Sequence, residues 1–248
     1  MRFLIRLLSL TTLLTMIALS AAGADHTFRI KVGQFDKLAV NNNLRVVYHA
    51  NADSTGYAVY KAPADMADVF LFSNEKGNLK VQTASADLDA NDLPVVHLYS
   101  DYLTSVANSA DHTLIVNNNP SVPHFTAKMI GNGSIVVKSI KAGEIQASVL
   151  TGNGSIILSG ECDKALYQMV GTGTIQADQL KAETVQCKIM GSGTIGCWAT
   201  NILKMRGIGS TKVYYKGKPK IKKVGGGKLF PLTAANEEIL NEAAEKEN

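Results

Sequence analysis

The segment GNGSI at residues 131–135 determines the fold of this chain, because close copies of it recur along the second half. The other copies are GNGSI at 152–156, GTGTI at 171–175 and GSGTI at 191–195, with weaker ones at 207–210 and 225–227. Successive copies start 21, 19, 20, 16 and 18 residues apart. A repeat of this length accommodates one turn of a coil built from short strands, but leaves no room for a helix in each turn.

Apolar and polar residues alternate around each motif, as expected for strands. The apolar positions hold Ile135, Ile156, Ile175 and Ile195 after the first glycine, and Met129, Leu150, Met169, Ile189 and Met205 two positions before it. The position before that holds Lys128, Val149, Gln168, Lys188 and Lys204 and is mostly polar. We expect one inward and one outward column of side chains, with strands stacked about 4.8 Å apart. The pattern predicts a parallel β-helix, in which each coil covers the apolar face of the next.

The second glycine of each motif is expected to lie at a stacked corner of the coil. These residues are Gly133, Gly154, Gly173 and Gly193, and we expect some of them to have positive φ. The neighbouring Asn, Ser and Thr residues are expected to form hydrogen-bonded ladders. A nucleotide-binding loop is excluded as an interpretation, because neither a third glycine before a helix nor a Gly-Lys-Ser/Thr sequence is present.

The first 24 residues have the order of a secretory signal peptide. Arg2 and Arg6 precede an apolar run to Leu19, and Ala22-Gly23-Ala24 supplies a small-residue cleavage site. The alternative is a membrane anchor, but a spanning helix needs about 20 apolar residues. The whole chain has 25 basic and 21 acidic residues; removing two arginines leaves 23 basic residues and a net charge of +2. This charge is too small to indicate nucleic acid or an acidic membrane as a partner.

Four segments follow from these patterns: a signal peptide at 1–24, an N-terminal β module at 25–123, the repeat β-helix at 124–231, and a short acidic helix or tail at 232–248. The boundary near residue 123 follows the turn-rich sequence NNNP at 117–120. In the last segment Thr233 can cap a helix that places Ile239, Leu240 and Ala243 on one side.

The chain resembles the DUF2807 family, the auto-transporter adhesin head GIN domain, over about residues 28–230. The resemblance rests on FDKL at 35–38, GNLKV at 77–81, LPVVHLY at 93–99, the glycine motifs, and YKGKP at 215–219 before the GGG at 225–227. It implies an all-β fold, with a right-handed parallel β-helix in the C-terminal half and a β-rich N-terminal module packed on it or continuous with it. It also implies a secreted or envelope protein of Bacteroidetes-type bacteria, without catalytic residues. Lys228 replaces the usual Ser or Thr after Gly227, so the last coil is expected to be an end cap.

No catalytic or metal-binding pattern emerges from the titratable residues. The five histidines lack metal-ligand spacing, and His97 is expected to point outward from a strand. The acidic residues Glu161, Asp163, Asp178 and Glu183 could meet in space as a glycosidase pair, although placement in solvated turns is the favoured interpretation. Cys187 and Cys197 are predicted to be small core residues, and a bridge between them is the less favoured alternative. We expect no cofactor and no metal.

The strongest charge feature is a run of lysines near the C-terminal end. The candidate ligand patch comprises Lys216, Lys218, Lys220 and Lys222 with the rings of Tyr214, Tyr215 and Trp198. Lysines on a sheet edge also protect it from pairing with another chain, and this is the favoured alternative. The functional alternative is a surface for acidic glycans or lipid head groups. The aromatic rings are explained equally well by sugar stacking or by strand packing.

The sequence therefore predicts a non-enzymatic β-solenoid that binds polysaccharide or another surface protein as an adhesin. It would be exported to the periplasm, the outer surface or the medium, with no transmembrane segment after signal cleavage. The alternatives are a carbohydrate-active β-helix enzyme and a structural envelope protein whose coils stack end to end.

Overall fold

The structure, a computed structural model, describes residues 25–42, 44–85, 88, 92–234 and 237. The predicted signal peptide and most of the predicted C-terminal helix lie outside the described residues. The strands of the first half are β1 (His26–Lys31), β2 (Lys37–Val40), β3 (Val46–Ala50), β4 (Tyr57–Ala62), β5 (Phe70–Glu75), β6 (Asn78–Thr83), β7 (Val96–Ser100), β8 (Ser105–Asn108) and β9 (Thr113–Asn117), with a 3-10 helix at Ala64–Met66. The strands of the second half are β10 (Val122–Met129), β11 (Ser134–Val149), β12 (Ser155–Met169), β13 (Thr174–Ile189), β14 (Thr194–Gly207), β15 (Lys212–Lys216), β16 (Lys220–Gly225) and β17 (Lys228–Pro231).

The strands form two parallel stacks that run along a β-solenoid of about six turns. One stack contains β6, β2, β8, β10, the C-terminal parts of β11 to β14, and β16. The other contains β7, β3, β9, the N-terminal parts of β11 to β14, β15 and β17. Each long strand joins both stacks because it bends where its register shifts, as between Val137 and Ile140 in β11. The predicted all-β solenoid is confirmed.

The strand register corrects the predicted columns at two turns. Met129, Val149, Met169 and Ile189 pair with one another at intervals of 20 residues, so Val149 lies in the inward column in place of Leu150. The reason is one extra residue in the turn between Val149 and Gly152. A shift of one residue moves a side chain to the other face, and Val149 is buried, not outward as predicted.

The second correction concerns the coil that follows Ile189. Ile189 pairs with Gly207, only 18 residues further on, so Met205 pairs with Cys187 and Lys204 pairs with Gln186. This shift of two residues leaves both side chains on the predicted faces: Met205 is buried and Lys204 is exposed.

The motif glycines stack as predicted, but for a different reason. A Cβ on Gly154 would lie 2.6 Å from the carbonyl oxygen of Gly133, and one on Gly173 would collide with the carbonyl oxygen of Gly154. Gly133, Gly154, Gly173 and Gly193 are not among the residues with positive φ, so that expectation is wrong. Glycine is required here because successive backbones approach too closely for any side chain.

The expected polar ladder runs beside these glycines. The backbone N–H of Asn153 donates to Asn132 Oδ1 at 3.2 Å, and Thr172 Oγ1 donates to Asn153 Oδ1 at 3.2 Å. The buried hydroxyls of Ser134 and Ser155 form a 2.8 Å hydrogen bond. These bonds connect the corners of successive coils.

The N-terminal half supplies further coils in an order that differs from the sequence. Strand β2 lies between β6 and β8, and β3 lies between β7 and β9. Pairing continues from β8 to β10 and from β9 to β11, across the predicted boundary at residue 123. At the far end, β4 and β5 pair antiparallel with β7 and β6, and β1 pairs antiparallel with β4. No helix in the described part of the chain is long and apolar enough to cross a membrane.

Candidate functional site

The predicted lysines lie on the last strands of the solenoid and their loops, a region that we call the basic end. It comprises the exposed or half-buried cations of β14 to β17 and their loops: Lys204, Arg206, Lys212, Lys216, Lys218, Lys220, Lys222, Lys223 and Lys228. The sequence contains no acidic residue between Glu183 and Glu237. Among the described residues, none of these cations forms an ion pair with a carboxylate.

Strand register brings the cations into rows. Lys204 pairs with Lys222 across β14 and β16, and Arg206 lies two residues further along β14. These side chains line a shallow groove of about 320 Å³ together with Gln186 and Val224. Sequence reasoning missed Arg206, because the shortened coil hides its alignment with Lys188.

Trp198 lies beside this surface as part of an outward ladder of side chains. In register, the ladder runs Lys141, Glu161, Lys181, Trp198 and Lys216 along β11 to β15. The Nζ of Lys216 lies 4.3 Å from the Trp198 ring centroid, and that of Lys181 lies 6.0 Å away. Such contacts stabilise by about 0.5–1 kcal/mol at exposed sites. They hold the half-buried indole in place next to the basic end.

The two predicted tyrosines pack against other residues. Tyr214 is buried, since it pairs with Gly196 and its ring stacks on Phe230 at 5.5 Å. Tyr215 is half-buried against the core. Phe230 remains 36% exposed, so a larger fraction of its ring is accessible than of either tyrosine. Phe230 was not singled out from the sequence because no repeat motif surrounds it.

A second groove, of about 450 Å³, crosses the side of β11 to β13. It brings together Glu161, Asp163 and Glu183, three of the four carboxylates considered as a glycosidase pair. The fourth, Asp178, does not join them: it is buried in the interior and accepts a 3.1 Å hydrogen bond from Gln179 Nε2. For Asp178, both the favoured interpretation, a solvated turn, and the alternative, a shared carboxylate site, are therefore wrong.

The ion pair in this groove fixes the charge of one carboxylate. Lys141 Nζ lies 2.8 Å from Glu161 Oε1, and the hydrogen bond and charge of Lys141 lower the pKa of Glu161. Glu161 is therefore held ionised, which makes it a poor proton donor.

The three cysteines are free and buried. Cys187 and Cys197 are core residues as predicted, without the bridge considered as the alternative. A hydrogen bond that the Cys197 thiol donates to Cys187, together with burial, raises the pKa of Cys197 well above its usual value. Burial and the charge of Asp163 raise the pKa of Cys162 to about 12. Thiols of this kind are poor nucleophiles at neutral pH.

His97 lies on β7, half-buried, where it contacts a second histidine that the sequence did not single out. Its Nδ1 lies 3.1 Å from Nε2 of His49, which also stacks on Tyr99 at 5.2 Å. The ring centroids of the two histidines are 5.4 Å apart and the ring planes differ by 25°, so the rings are also stacked. Among the described residues, no three His, Cys, Asp or Glu side chains converge as a metal site.

Solved structures with the same architecture come from Bacteroides and Parabacteroides species. A putative adhesin from Bacteroides fragilis is 20% identical, with a TM-score of 0.74 over 84% of this chain and 97% of that one. A putative lipid binding protein from Parabacteroides distasonis is 22% identical, with a TM-score of 0.65 over 86% and 98% of the two chains. A putative adhesin from Parabacteroides merdae is 20% identical, with a TM-score of 0.66 over 85% and 96%. These similarities establish the fold.

No curated protein sequence matches this chain. A sequence family does match, over residues 34–219, which include strands β2 to β15. The family and the structural neighbours carry the names of adhesins and a lipid-binding protein, not of enzymes. The chain belongs to the DUF2807 family, described as "Putative auto-transporter adhesin, head GIN domain".

Proposed function

We propose that this protein is a non-enzymatic, exported adhesin module that binds acidic polysaccharide at its basic end. The observation that carries the proposal is the cluster of cations from Lys204 to Lys228 without a neighbouring carboxylate in the described structure. A folded surface without a ligand usually intersperses charges of both signs. A single-sign surface attracts polyanions and raises the rate at which they bind.

A polymer suits this surface better than a small anion. The cations are exposed and spread over several strands, and the groove beside Lys204 and Lys222 is shallow. Each exposed charge contact contributes only about 0.2–1 kcal/mol. A repetitive polyanion engages several cations at once, so its weak contacts add through a high effective concentration. Trp198, at the border of the patch, offers an aromatic ring to a sugar.

Protection of the last strands from pairing with another chain also accounts for some of the lysines. That role needs cations along the exposed edges of β16 and β17. It does not account for Lys204 and Arg206, which lie one coil further in, on a strand already paired on both sides. These two residues favour a ligand over edge protection alone.

The test is binding of the chain to immobilised polygalacturonate, to neutral dextran, and to vesicles with and without anionic lipid. We expect binding to polygalacturonate that weakens strongly between 50 and 500 mM salt, because exposed charges are screened. If the chain binds only the anionic vesicles, its partner is a lipid surface and not a polysaccharide. That result would agree with the name of one structural neighbour, a putative lipid binding protein. Equal binding to dextran, or no binding to any of these, would contradict the proposal.

A carbohydrate-active enzyme is the second candidate, favoured by the groove that holds Glu161, Asp163 and Glu183. Glycoside hydrolysis needs a proton-donating acid and a second carboxylate facing one sugar. The ion pair of Glu161 with Lys141 leaves Asp163 and Glu183 as the pair to test. The assay is release of reducing sugar from a panel of polysaccharides. Release by the unsubstituted chain that is lost in Asp163→Asn and in Glu183→Gln would establish hydrolysis instead of binding alone.

A further inference from the structure

Two histidines on neighbouring strands bring ring nitrogens together on the first coils of the solenoid. Nε2 of His49 lies 3.1 Å from Nδ1 of His97, where β3 pairs with β7. Their neighbours in the chain Tyr48 and Leu98 are fully buried, whereas both histidines are only half-buried. Because side chains alternate between the two faces of a strand, the histidine rings lie on the outer face of the coil, where solvent and ions reach them.

Paired strands and ring stacking hold the two histidines in place. Strand β3 lies between β7 and β9, and β7 lies between β3 and β4, so neither histidine is on an edge strand. The His49 ring stacks on His97 at 5.4 Å and on Tyr99 at 5.2 Å. Side chains that are fixed in this way lose little conformational entropy when they bind an ion.

The distance between the two nitrogens suits a shared metal ion as well as a hydrogen bond. Imidazole nitrogens bind Zn²⁺ at about 2.0–2.1 Å, so two of them on one ion lie roughly 3–3.4 Å apart. The 3.1 Å separation of His49 Nε2 and His97 Nδ1 falls within this range. The ring planes differ by 25°, and χ2 of a histidine is a soft torsion, so a modest rotation directs both lone pairs at one ion.

Both facing nitrogens have to be unprotonated to bind an ion. Burial, and to a lesser degree the charge of His97, lower the pKa of His49, so this ring is neutral at pH 7. In a hydrogen-bonded pair of neutral imidazoles, one of the two facing nitrogens carries a hydrogen. When an ion takes its place, that hydrogen moves to the other nitrogen of the same ring, Nδ1 of His49 or Nε2 of His97, and both rings remain neutral.

We propose that His49 and His97 form a binding site for one divalent transition-metal ion. Imidazole suits zinc, copper and nickel, whereas magnesium and calcium prefer oxygen ligands. No third His, Cys, Asp or Glu joins the pair among the described residues, so the ion keeps open positions for water or for a donor on a partner. Sequence spacing did not reveal the site, because the two histidines are 48 residues apart.

The metal site and the basic end are separate features of the molecule. Within one stack of strands, β9 and β11 to β13 lie between β3 and β14. The metal site therefore does not depend on the ligand proposed for the basic end, and either proposal can fail without the other.

The test is titration of the full chain, without a histidine tag, with Zn²⁺, followed by calorimetry and thermal unfolding. We expect one Zn²⁺ to bind per chain and to raise Tm by about 2–4 °C near saturation, because only the folded chain brings the two nitrogens together. His49→Gln and His97→Gln should each lower the affinity about tenfold or more, since even the partners of metal ligands contribute that much. The matched controls His26→Gln and His124→Gln change exposed histidines and should bind Zn²⁺ like the unsubstituted chain. Mg²⁺ should not bind at this site.

A second measurement needs no substitution, and so covers the case in which a variant fails to fold. In NMR spectra of the histidine side-chain nitrogens, Zn²⁺ should shift the signals of His49 Nε2 and His97 Nδ1 and leave those of His26 and His124 in place. Two results would overturn the proposal. One is that the full chain binds no Zn²⁺. The other is that binding is unchanged in His49→Gln and His97→Gln while the signals of other histidines move.

Discussion

The two ends of the solenoid are built differently. At the N-terminal end, β4 and β5 run antiparallel to the coils and cover the edges of β7 and β6. At the C-terminal end, β16 and β17 continue the parallel stacks. The first end is sealed by aromatic packing. Tyr60 stacks on Phe28 and meets Phe70 edge-on, both at 5.0 Å. The second end carries lysines and half-exposed apolar side chains. The solenoid therefore closes one end by reversing strand direction, whereas the described strands at the other end stay parallel and are bordered by lysines.

The coils between the two ends should be the most sensitive part of the molecule. Gly173→Val is expected to destabilise by about 4 kcal/mol or more, because its side chain would collide with the Gly154 carbonyl and force two coils apart. Urea unfolding measures the effect. Lys188→Ala, an exposed residue of the same coil, is the control and should change stability by less than about 0.5 kcal/mol. Similar unfolding midpoints for the two variants would show that the coils are not packed at this distance.

Because Tyr60, Phe28 and Phe70 pack together at the N-terminal end, removing an aromatic ring there should cost more stability than removing one at the C-terminal end. Phe70→Ala removes a buried ring from contact with Tyr60 and Phe72 and should cost about 3–4 kcal/mol. Phe230→Ala at the other end removes a ring that is 36% exposed and stacks on Tyr214, and should cost about 1 kcal/mol. Equal losses in chemical denaturation would mean that the two ends are closed equally well.

A smaller effect is expected from pH, and it should arise at the N-terminal coils. Burial, and to a lesser degree the charge of His97, lower the pKa of His49. The unfolded chain therefore takes up a proton at His49 more readily than the folded one, so stability is fully present above about pH 6.5 and falls as the pH drops below it. Urea midpoints between pH 7.5 and 5.5 should fall less for His49→Gln than for the unsubstituted chain. His124→Gln, which changes an exposed histidine, is the control. If the urea midpoint of His49→Gln falls with pH as much as that of the unsubstituted chain, His49 is not the source of the pH dependence.

Periodicity was sufficient to predict the solenoid, the inward isoleucines and the stacked glycines, because every coil repeats the same local packing. It failed at Val149, where a single extra turn residue exchanges the inward and outward faces while the glycine motif stays recognisable. It also could not give the order of the N-terminal coils. The placement of β2 between β6 and β8 depends on contacts between distant residues, and strand patterns do not encode which strand is the neighbour.

The candidate site was predictable in composition but not in arrangement. The lysine run is visible in the sequence, and the register distributes its members over both stacks of the last strands. The pairing of Lys204 with Lys222, and the contact of Lys216 with Trp198, depend on the coil register. Asp178 was grouped with the surface carboxylates because charged residues are usually exposed, yet the register places it in the interior.

The central claim is that the basic end is the binding surface. It is tested most directly by comparing two variants that each lose three lysines, one at the C-terminal end and one at the N-terminal end. Lys218→Gln/Lys220→Gln/Lys222→Gln alters the basic end, and Lys31→Gln/Lys61→Gln/Lys80→Gln alters exposed lysines of β1, β4 and β6. Affinity for polygalacturonate is measured for both at one salt concentration. We predict a loss of about tenfold or more for the first variant and little change for the second, from roughly 0.5 kcal/mol for each exposed contact. Equal losses for both variants, or none for the first, would contradict the claim.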